Sequence, residues 1–380
     1  MKIVVVGTRG IPDIQGGVET HCEELYPRLV QKGCEVTVVR RSCYVNGDNC
    51  QKEYKGVSLY DLYAPRKKSL EAIVHTFLAV LYARRQHADV LHIHAIGPSF
   101  MVPFARLLGL RVVMTHHGPD YDRKKWGKLA RFVLKTGERW GVKYANRVIV
   151  ISNVIRRLIE EKYHRMDTDL VYNGITTIPQ SSSGNGLQEP GRYLREYGLS
   201  SKTYVIALGR FVEEKGFDLL IKAFSACRQQ YEVSTQSPFP FRLVIAGDAD
   251  HETEYSKRLC SLAAANQVVL TGFIRGSRLA ELMSHAALFV LPSFHEGLPI
   301  SLLEAMGYHL PVLVSDIPAN KEVALPADDY FSCGNVLALQ EALQKKLADH
   351  AASCEYDLTK YDWDHIADQV LSIYQDLATH

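Results

Sequence analysis

The chain has 380 residues, of which 47% are hydrophobic and 23% charged, with a formal net charge of +2. That length exceeds one small core and, at roughly 100 to 200 residues per domain, predicts two domains. A charge so near zero argues against nucleic acid as a partner. No apolar run approaches the ~18 residues of a membrane span, since the longest candidate, Ala72 to Tyr82, is interrupted by His75 and Thr76. The opening, Met1-Lys-Ile-Val-Val-Val-Gly7, is too short for a secretion signal, so the expected location is the cytoplasm. The eight cysteines include no C-x-x-C pair, which argues against a zinc site and, in a large chain without a signal, for reduced thiols.

In chain order, Ile3 to Val6 is a short apolar strand, and Gly7-Thr-Arg-Gly-Ile-Pro-Asp-Ile-Gln-Gly-Gly17 follows before a helix from about Val18 to Lys32. The glycine spacing is not G-x-G-x-x-G, and the next strand, Glu35 to Val39, ends in Arg40-Arg41 where a ribose-binding acid would stand. A nicotinamide dehydrogenase is disfavoured. Gly16 and Gly17 either let backbone approach a phosphate or sugar at a helix start or are only the glycines of a tight turn. Arg66-Lys67-Lys68 introduces an amphipathic helix from about Ser69 to Arg85, and Val90 to His94 is the next strand. Alternation puts His92 and His94 on one face, where packing or pocket lining is favoured over a metal pair that has no third ligand nearby. Arg111 to Thr115 is a strand that ends in His116-His117-Gly118-Pro119-Asp120.

Tyr121 to Val150 carries nine Lys or Arg against two acids, interleaved with Trp126, Leu129, Phe132 and Trp140. Such a stretch suits an anionic bilayer surface, at about 1 kcal/mol per basic residue, or is a solvated helix face; both readings stand. Ala145 to Ile151 is a further strand, Ser152-Asn153 starts a helix, and Ser181-Ser-Ser-Gly-Asn-Gly186 is the clearest linker, where the hinge between domains is placed.

The second half restarts the alternation with strand Tyr204 to Leu208, then Gly209-Arg210 and Lys215-Gly216 before a helix through Phe224. Arg210 and Lys215 then stand at the strand ends where open α/β sheets bind ligands, and two cations there would neutralise a departing diphosphate; the alternative is a salt bridge to Glu213 or Glu214. Phe241 to Ala246 is a strand with Gly247-Asp248 at its end, and Val268 to Thr271 is followed by Gly272-Phe-Ile-Arg275. Ala286 to Leu291 then leads through Pro292-Ser293 into Phe294-His-Glu-Gly-Leu-Pro-Ile-Ser-Leu-Leu-Glu-Ala-Met-Gly307, a strand, tight turn and helix with Pro299 in the first turn. Glu296 sits on the loop, and Glu304 lies about 9 Å along the helix axis at ~1.5 Å per residue. Two acids acting on one glycosidic bond stand roughly 5 to 9.5 Å apart, and a helix offset plus a turn exceeds that. An extended anionic ligand fits better: a diphosphate at the helix N-terminus, with hydroxyls held by Glu304 at one end and by Glu296, Gly297 and Leu298 at the other. That describes a nucleotide-sugar. The plain alternative makes Glu304 a solvated helix residue and Glu296 a charge favoured by the helix dipole. Strand Pro311 to Val314, the loop Ser315 to Asn320 and a helix from Trp363 to Ala378 complete the chain.

Several of these stretches carry a resemblance. Glu296, seven residues, then Glu304, with Gly297-Leu298-Pro299 between them, resembles the E-x7-E signature of retaining family-4 glycosyltransferases of the GT-B type. Gly7-Thr-Arg-Gly-Ile-Pro, Gly-Gly-Val-Glu19-Thr and Asp120-Tyr-Asp-Arg-Lys-Lys-Trp-Gly127 resemble bacterial cell-surface polysaccharide transferases, rhamnosyl- and galactosyltransferases among them, and Gly-Arg, four residues, Lys-Gly is a further family feature. The resemblance implies an α/β fold of two Rossmann-like doubly wound domains facing a cleft: 1–178 binding the acceptor, joined by helix 363–380, and 190–362 binding the nucleotide-sugar. It implies catalytic roles for His117, facing the transferred sugar, and for Glu296. It implies donor contacts from Gly16, Gly17, Arg210, Lys215, Gly297, Leu298 and Glu304, with the base held by the backbone of Phe273 and Ile274.

The implied reaction is retaining transfer from a UDP-, dTDP- or GDP-sugar, a substrate and not a cofactor, to a hydroxyl of a glycan acceptor, lipid-linked, in capsule, O-antigen or exopolysaccharide synthesis. Lacking a suitably placed D-x-D motif, the chain is expected to need no metal. The region Arg123 to Arg147 is a candidate contact with the inner face of an anionic membrane. The rivals are a nucleotide-sugar epimerase, a glycosyl phosphorylase and a non-catalytic nucleotide-sugar-binding scaffold. Nucleotide release that depends on acceptor excludes the first two, and failure to bind nucleotide favours the third.

Overall fold

The structure, a computed structural model, describes residues 1–65, 71–122, 127–175, 191–349 and 354–379. The basic run Arg66 to Lys68, the residues Arg123 to Trp126 and the linker Ser181 to Gly186 lie outside them. The chain divides into two compact units, Met1–Gly174 with Lys360–His380, and Ile175–Thr359.

The first unit is built on strands β1 (Lys2–Val6), β2 (Glu35–Arg41), β3 (Glu53–Tyr54), β4 (Val57–Leu62), β5 (Val90–His94), β6 (Val112–His116), β7 (Arg147–Val150) and β8 (Thr168–Leu170). They form one sheet in the order β3-β4-β2-β1-β5-β6-β7-β8, parallel except for the β3–β4 hairpin. Its central strands are continuous apolar runs because a parallel sheet is covered on both faces. Helices α1 (Gly17–Gln31), α2 (Glu71–Arg85), α3 (Val102–Leu107), α4 (Lys128–Tyr144) and α5 (Asn153–Tyr163) supply the cover. The hairpin turns through Lys55 and Gly56, both at positive φ, 47° and 84°. Sequence reading passed over it because Lys-Gly is not the Asn-Gly or Asp-Gly signal of such turns.

The second unit has six parallel strands, β9 (Tyr204–Leu208), β10 (Arg242–Ala246), β11 (Val269–Leu270), β12 (Leu288–Leu291), β13 (Val312–Ser315) and β14 (Tyr330–Phe331), in the order β11-β10-β9-β12-β13-β14. Around them run α6 (Arg192–Glu196), α7 (Phe217–Thr235), α8 (Glu254–Ala265), α9 (Gly276–His285), α10 (Ile300–Gly307), α11 (Pro318–Lys321) and α12 (Val336–Ala348). Val205, Ala207, Phe217, Leu220, Ile245, Val290 and Leu339 meet in its core. Pro299 proves to be the residue capping α10, with φ −76° and ψ 108°, so the helix begins one residue later than the sequence suggests. A ring that fixes φ serves the entry to a helix as well as its first turn.

In both sheets the strand order reverses once, between β1 and β5 in the first unit and between β9 and β12 in the second. Loops leaving the carboxyl ends of two such strands diverge to opposite sides, which opens a crevice where α/β sheets take their ligands. Gly7 follows β1, Arg210 follows β9, and Ser293 with Glu296 follows β12.

The last helix, α13 (Trp363–Thr379), belongs to the first unit. Trp363, Ile366, Val370 and Tyr374 are buried with Cys22, Leu25, Tyr26 and Leu29 of α1. At its edge Arg28 Nε donates to Asp364 at 2.9 Å and Lys32 Nζ lies 2.6 Å from Asp368. Trp363→Ala is expected to cost about 3 to 5 kcal/mol, the usual range for a buried aromatic. A denaturant midpoint within error of the parent protein would show that α13 is not part of this core.

Candidate active site

In the second unit, Gly209 and Arg210 leave β9, and a short turn at Glu213–Lys215 leads to α7. Lys215 Nζ lies 2.6 Å from Glu296 Oε1, and Ser293 Oγ donates to the same oxygen at 2.6 Å. The two loops are pressed together: Phe294 N–H donates to the Glu214 carbonyl at 2.8 Å. Gly216 makes this possible, being at φ +64° and so placed that a Cβ would stand 2.3 Å from the Pro292 carbonyl oxygen. Beneath the loop Ser315 Oγ donates to the Ser293 carbonyl, and Asn320 Nδ2 donates to the Ser315 carbonyl at 2.8 Å. These buried groups fix the Glu296 loop from below. Arg210 Nη1 pairs with Asp250 Oδ2 at 2.9 Å.

Glu304 lies on the second turn of α10, partly buried beside Tyr308, whose phenol is pushed up to about 12 by burial and by that carboxylate. The Leu302 and Leu303 amides make the first bonds of α10 to the Pro299 carbonyl, at 3.1 and 3.3 Å, so the Ile300 and Ser301 amides stand ahead of the ladder. Gly297 and buried Leu298 precede them. Phe273, exposed, and Ile274, buried, follow β11 at the edge of the sheet, and Gly247 N–H donates to the Gly272 carbonyl at 2.9 Å.

In the first unit, Gly16 caps α1 at φ +155°, where a Cβ would fall 2.0 Å from Glu19 Oε2, whereas a Cβ on Gly17 would meet open space. α1 carries His21 to within 5.1 Å of the His117 ring, centroid to centroid. His117 belongs to a polar ladder inside an apolar unit. Its Nε2 is 2.9 Å from His94 Nδ1, and His94 Nε2 is 2.5 Å from the Tyr26 hydroxyl. His92 Nδ1 lies 3.0 Å from Tyr26 and 2.5 Å from Tyr374, and its Nε2 lies 2.7 Å from Thr115. His21 Nδ1 is 3.0 Å from Asn173 Oδ1. Burial lowers the pKa of His21 to about 4 and of His92 to about 3, and it holds His94 and His117 well below the usual value with help from their neighbours' charge. All four rings are therefore neutral at pH 7.

His116 turns the other way. Its Nδ1 accepts from the Gly118 amide at 3.1 Å, and its Nε2 then donates to fully buried Glu138 at 3.0 Å. Burial would raise the Glu138 pKa, but hydrogen bonds from His116, Lys162 and Tyr163 overcome that and hold it down at about 2. Lys162 and Tyr163 also line a cleft of about 1100 Å³, together with Lys135, Arg139, Lys143 and Arg165.

Two family models match consecutive parts of the chain: "Glycosyltransferase Family 4" over residues 15–177 and "Glycosyl transferases group 1" over residues 194–357. The chain belongs to the GT-B glycosyltransferases of group 1 and family 4. It is 25% identical to an uncharacterised glycosyltransferase of Methanocaldococcus jannaschii over 99% of this chain and 98% of that one. It is 26% identical to the alpha-maltose-1-phosphate synthase of Mycobacterium tuberculosis over 99% of both. It is also 26% identical to the GDP-mannose:cellobiosyl-diphosphopolyprenol alpha-mannosyltransferase of Xanthomonas oryzae, over 76% of this chain and 74% of the relative. Among solved structures, sucrose-phosphate synthase from Thermosynechococcus elongatus superposes with a TM-score of 0.79 at 20% identity, covering 99% and 98% of the chains. Anabaena HepE in complex with UDP-glucose superposes with a TM-score of 0.73 at 18% identity, covering 100% and 98%.

In the transferase, then, Lys215 and Glu296 touch, Arg210 is held by Asp250, and Glu304 follows on α10. Lys215 pairs with Glu296 instead of Glu213 or Glu214. Sequence reasoning missed Asp250, Ser293, Ser315 and Asn320, whose only signal is that polar residues follow the carboxyl ends of apolar strands. It also missed His21, Tyr26, Asn173 and Tyr374, which reach His117 and its neighbours from other elements of the unit. Among the described residues no three His, Cys, Asp or Glu side chains are grouped so as to hold a metal.

The neutral histidines make stability depend on pH. The unfolded chain takes up protons below its histidine pKa of 6.5, whereas folded His21 and His92 do so only near 4 and 3. Their contribution is present in full above 6.5 and is lost as pH falls toward those values, at about 1.4 kcal/mol per pH unit for each histidine well below 6.5. The urea midpoint is expected to fall steeply from pH 6.5 to 5, and less steeply in His92→Gln. A midpoint flat over that interval would contradict the neutral ladder.

Proposed function

We propose that this transferase moves a sugar from a nucleoside-diphosphate donor to a hydroxyl of a lipid-linked glycan acceptor, with retention of anomeric configuration. The observation that carries the proposal is the Lys215–Glu296 pair at the β9–β12 reversal, with Arg210 on the loop that leaves β9. Each cation is balanced by a carboxylate, Lys215 by Glu296 and Arg210 by Asp250. A diphosphate, with more charge and more acceptor atoms than one carboxylate, competes for both. Lys215 moving to phosphate frees Glu296 to take the sugar hydroxyls, so filling one part of the site prepares the other. The α10 amides favour the same anion, and Phe273 with Ile274 offers backbone to the base. The HepE complex with UDP-glucose, on the same fold, supports a donor of this class.

The chemistry proposed is a front-face exchange. The bond from the anomeric carbon to the phosphate oxygen breaks, the acceptor oxygen bonds that carbon on the same side, and its proton passes to the departing phosphate oxygen. Arg210 and Lys215 stabilise the charge that grows on the phosphate. His117 and Glu296 position the sugar as its ring becomes cationic, and no metal is assigned a role.

The acceptor reading is favoured by α4. Lys128, Arg131, Lys135, Arg139 and Lys143 are all exposed on it, together with Leu129 and Phe132 at 75% and 66% exposure. Exposed apolar residues among cations suit an anionic bilayer. The basic cleft beside them suits a phosphate headgroup, and the Xanthomonas relative's name specifies a diphosphopolyprenol acceptor. Among the described residues no helix is long and apolar enough to cross a membrane, so contact would be peripheral.

Screening UDP-, GDP- and dTDP-sugars for protection against thermal unfolding identifies the donor. Lys215→Ala is then expected to weaken binding of the corresponding nucleoside diphosphate about 10- to 100-fold by calorimetry, the worth of a charged hydrogen bond. Glu296→Ala, which removes the carboxylate that competes for Lys215, should tighten that affinity while lowering kcat by about two orders of magnitude. Equal affinity in the first variant, or normal turnover in the second, sinks the assignment. For the surface, Leu129→Ser/Phe132→Ser should reduce sedimentation with phosphatidylglycerol vesicles by about tenfold or more; unchanged binding would remove α4 from the membrane contact.

A further inference from the structure

We propose that Tyr26 and His94 decide which nitrogen of His117 carries its proton, making His117 a hydrogen-bond donor through Nδ1 and not a proton acceptor. This rests on the reading of His117 as a group that meets the transferred sugar. His94 and Tyr26 are positioning residues in it, and they act only through His117.

A neutral imidazole has one N–H and one lone pair, and a phenol has one proton to give. Strand alternation puts His92 and His94 of β5 on the face they share with Thr115, next to His94 in register, where His92 meets Tyr26 of α1 and Tyr374 of α13 and His94 meets Tyr26. The Tyr374 hydroxyl lies 2.5 Å from His92 Nδ1, and the Tyr26 hydroxyl lies 2.5 Å from His94 Nε2. A phenol O–H is a far stronger donor than a neutral imidazole N–H, and of its two imidazole neighbours Tyr26 stands nearer to His94 Nε2 than to His92 Nδ1, which is 3.0 Å away. Each phenol therefore donates to the imidazole nitrogen nearest it. His92 then keeps its proton on Nε2, toward Thr115 Oγ1 at 2.7 Å. His94, accepting at Nε2, keeps its proton on Nδ1 and donates to His117 Nε2 at 2.9 Å. The proton of His117 is left on Nδ1.

Two consequences follow for the site. The ring is stacked on His94 with centroids 5.2 Å apart and interplanar angle 28°, so its orientation and its tautomer are fixed together. With Nε2 occupied by a donor, His117 has no lone pair for the acceptor's proton. It can only give a hydrogen bond to an oxygen of the sugar, which agrees with a departing phosphate as the base.

The test is nitrogen NMR on histidine-labelled protein without ligand, with the His117 signals assigned by their loss in His117→Gln. The expected spectrum shows His117 as the Nδ1–H tautomer. In Tyr26→Phe, which removes one oxygen, that pattern should mix with the other tautomer, while kcat for the donor identified by thermal protection falls about tenfold with its KM unchanged. His94→Leu should do the same, and His94→Asn, whose amide keeps an N–H near Nδ1, should recover most of kcat. His117 found as the Nε2–H tautomer overturns the inference, as does wild-type His117 signal and kcat in Tyr26→Phe. If His117→Gln turns over normally, the sugar-contacting role is wrong, and the spectrum still decides the tautomer.

Discussion

The second unit depends on keeping an ammonium and a carboxylate together at the reversal of a parallel sheet. Lys215 and Glu296 are 81 positions apart in sequence and 2.6 Å apart in space, both largely withdrawn from water. Charges taken out of water cost several kcal/mol each unless they are paired and hydrogen-bonded. Ser293 adds the needed bond to Glu296, and Ser315 with Asn320 holds the Ser293 backbone. Gly216 lets the two loops touch. Removing either member of the pair leaves the other as a partly buried lone charge, so the arrangement is poised to accept a stronger partner. An anion delivered to Lys215 relieves that constraint and changes what Glu296 can bind.

The first unit solves the opposite problem. It places four imidazoles in an apolar interior and keeps them uncharged, so their order comes from the direction of hydrogen bonds and not from attraction between ions. Beside this ladder, Glu138 is fully buried and charged, held by His116, Lys162 and Tyr163. The adjacent histidines His116 and His117 thus serve different ends: one buckles α4 and α5 to the sheet, and the other ends the neutral chain. A strand whose side chains alternate sends neighbours to opposite sides, which is enough to give two like residues two environments.

Much of the fold was legible in the sequence because buried parallel strands are short apolar runs bounded by glycine and polar turns, as at Ile3 to Val6 and Tyr204 to Leu208. The hairpin at Tyr54 to Val57 was not, since its turn chemistry is atypical, and β14, with two residues, carries too little pattern. At the site, Arg210, Lys215, Glu296 and Glu304 could be singled out because charged residues at the ends of apolar strands and in a helix's opening turns have a physical use. Which of them touch could not be read: the Lys215–Glu296 pair depends on β9 and β12 lying side by side, and that neighbourhood comes from crossover connections with no local signal. The same limit hid Tyr26 and Tyr374, whose positions on α1 and α13 look like ordinary core until the sheet is assembled.

The central claim is that Lys215 exchanges a carboxylate for phosphate. A crystal structure of the protein with its nucleoside-diphosphate sugar tests this directly. The account predicts Lys215 Nζ within hydrogen-bond distance of a phosphate oxygen, no longer on Glu296, with the Glu296 carboxylate accepting from sugar hydroxyls. A donor bound with Lys215 still on Glu296, or with its diphosphate remote from the ends of β9 and β12, would contradict it.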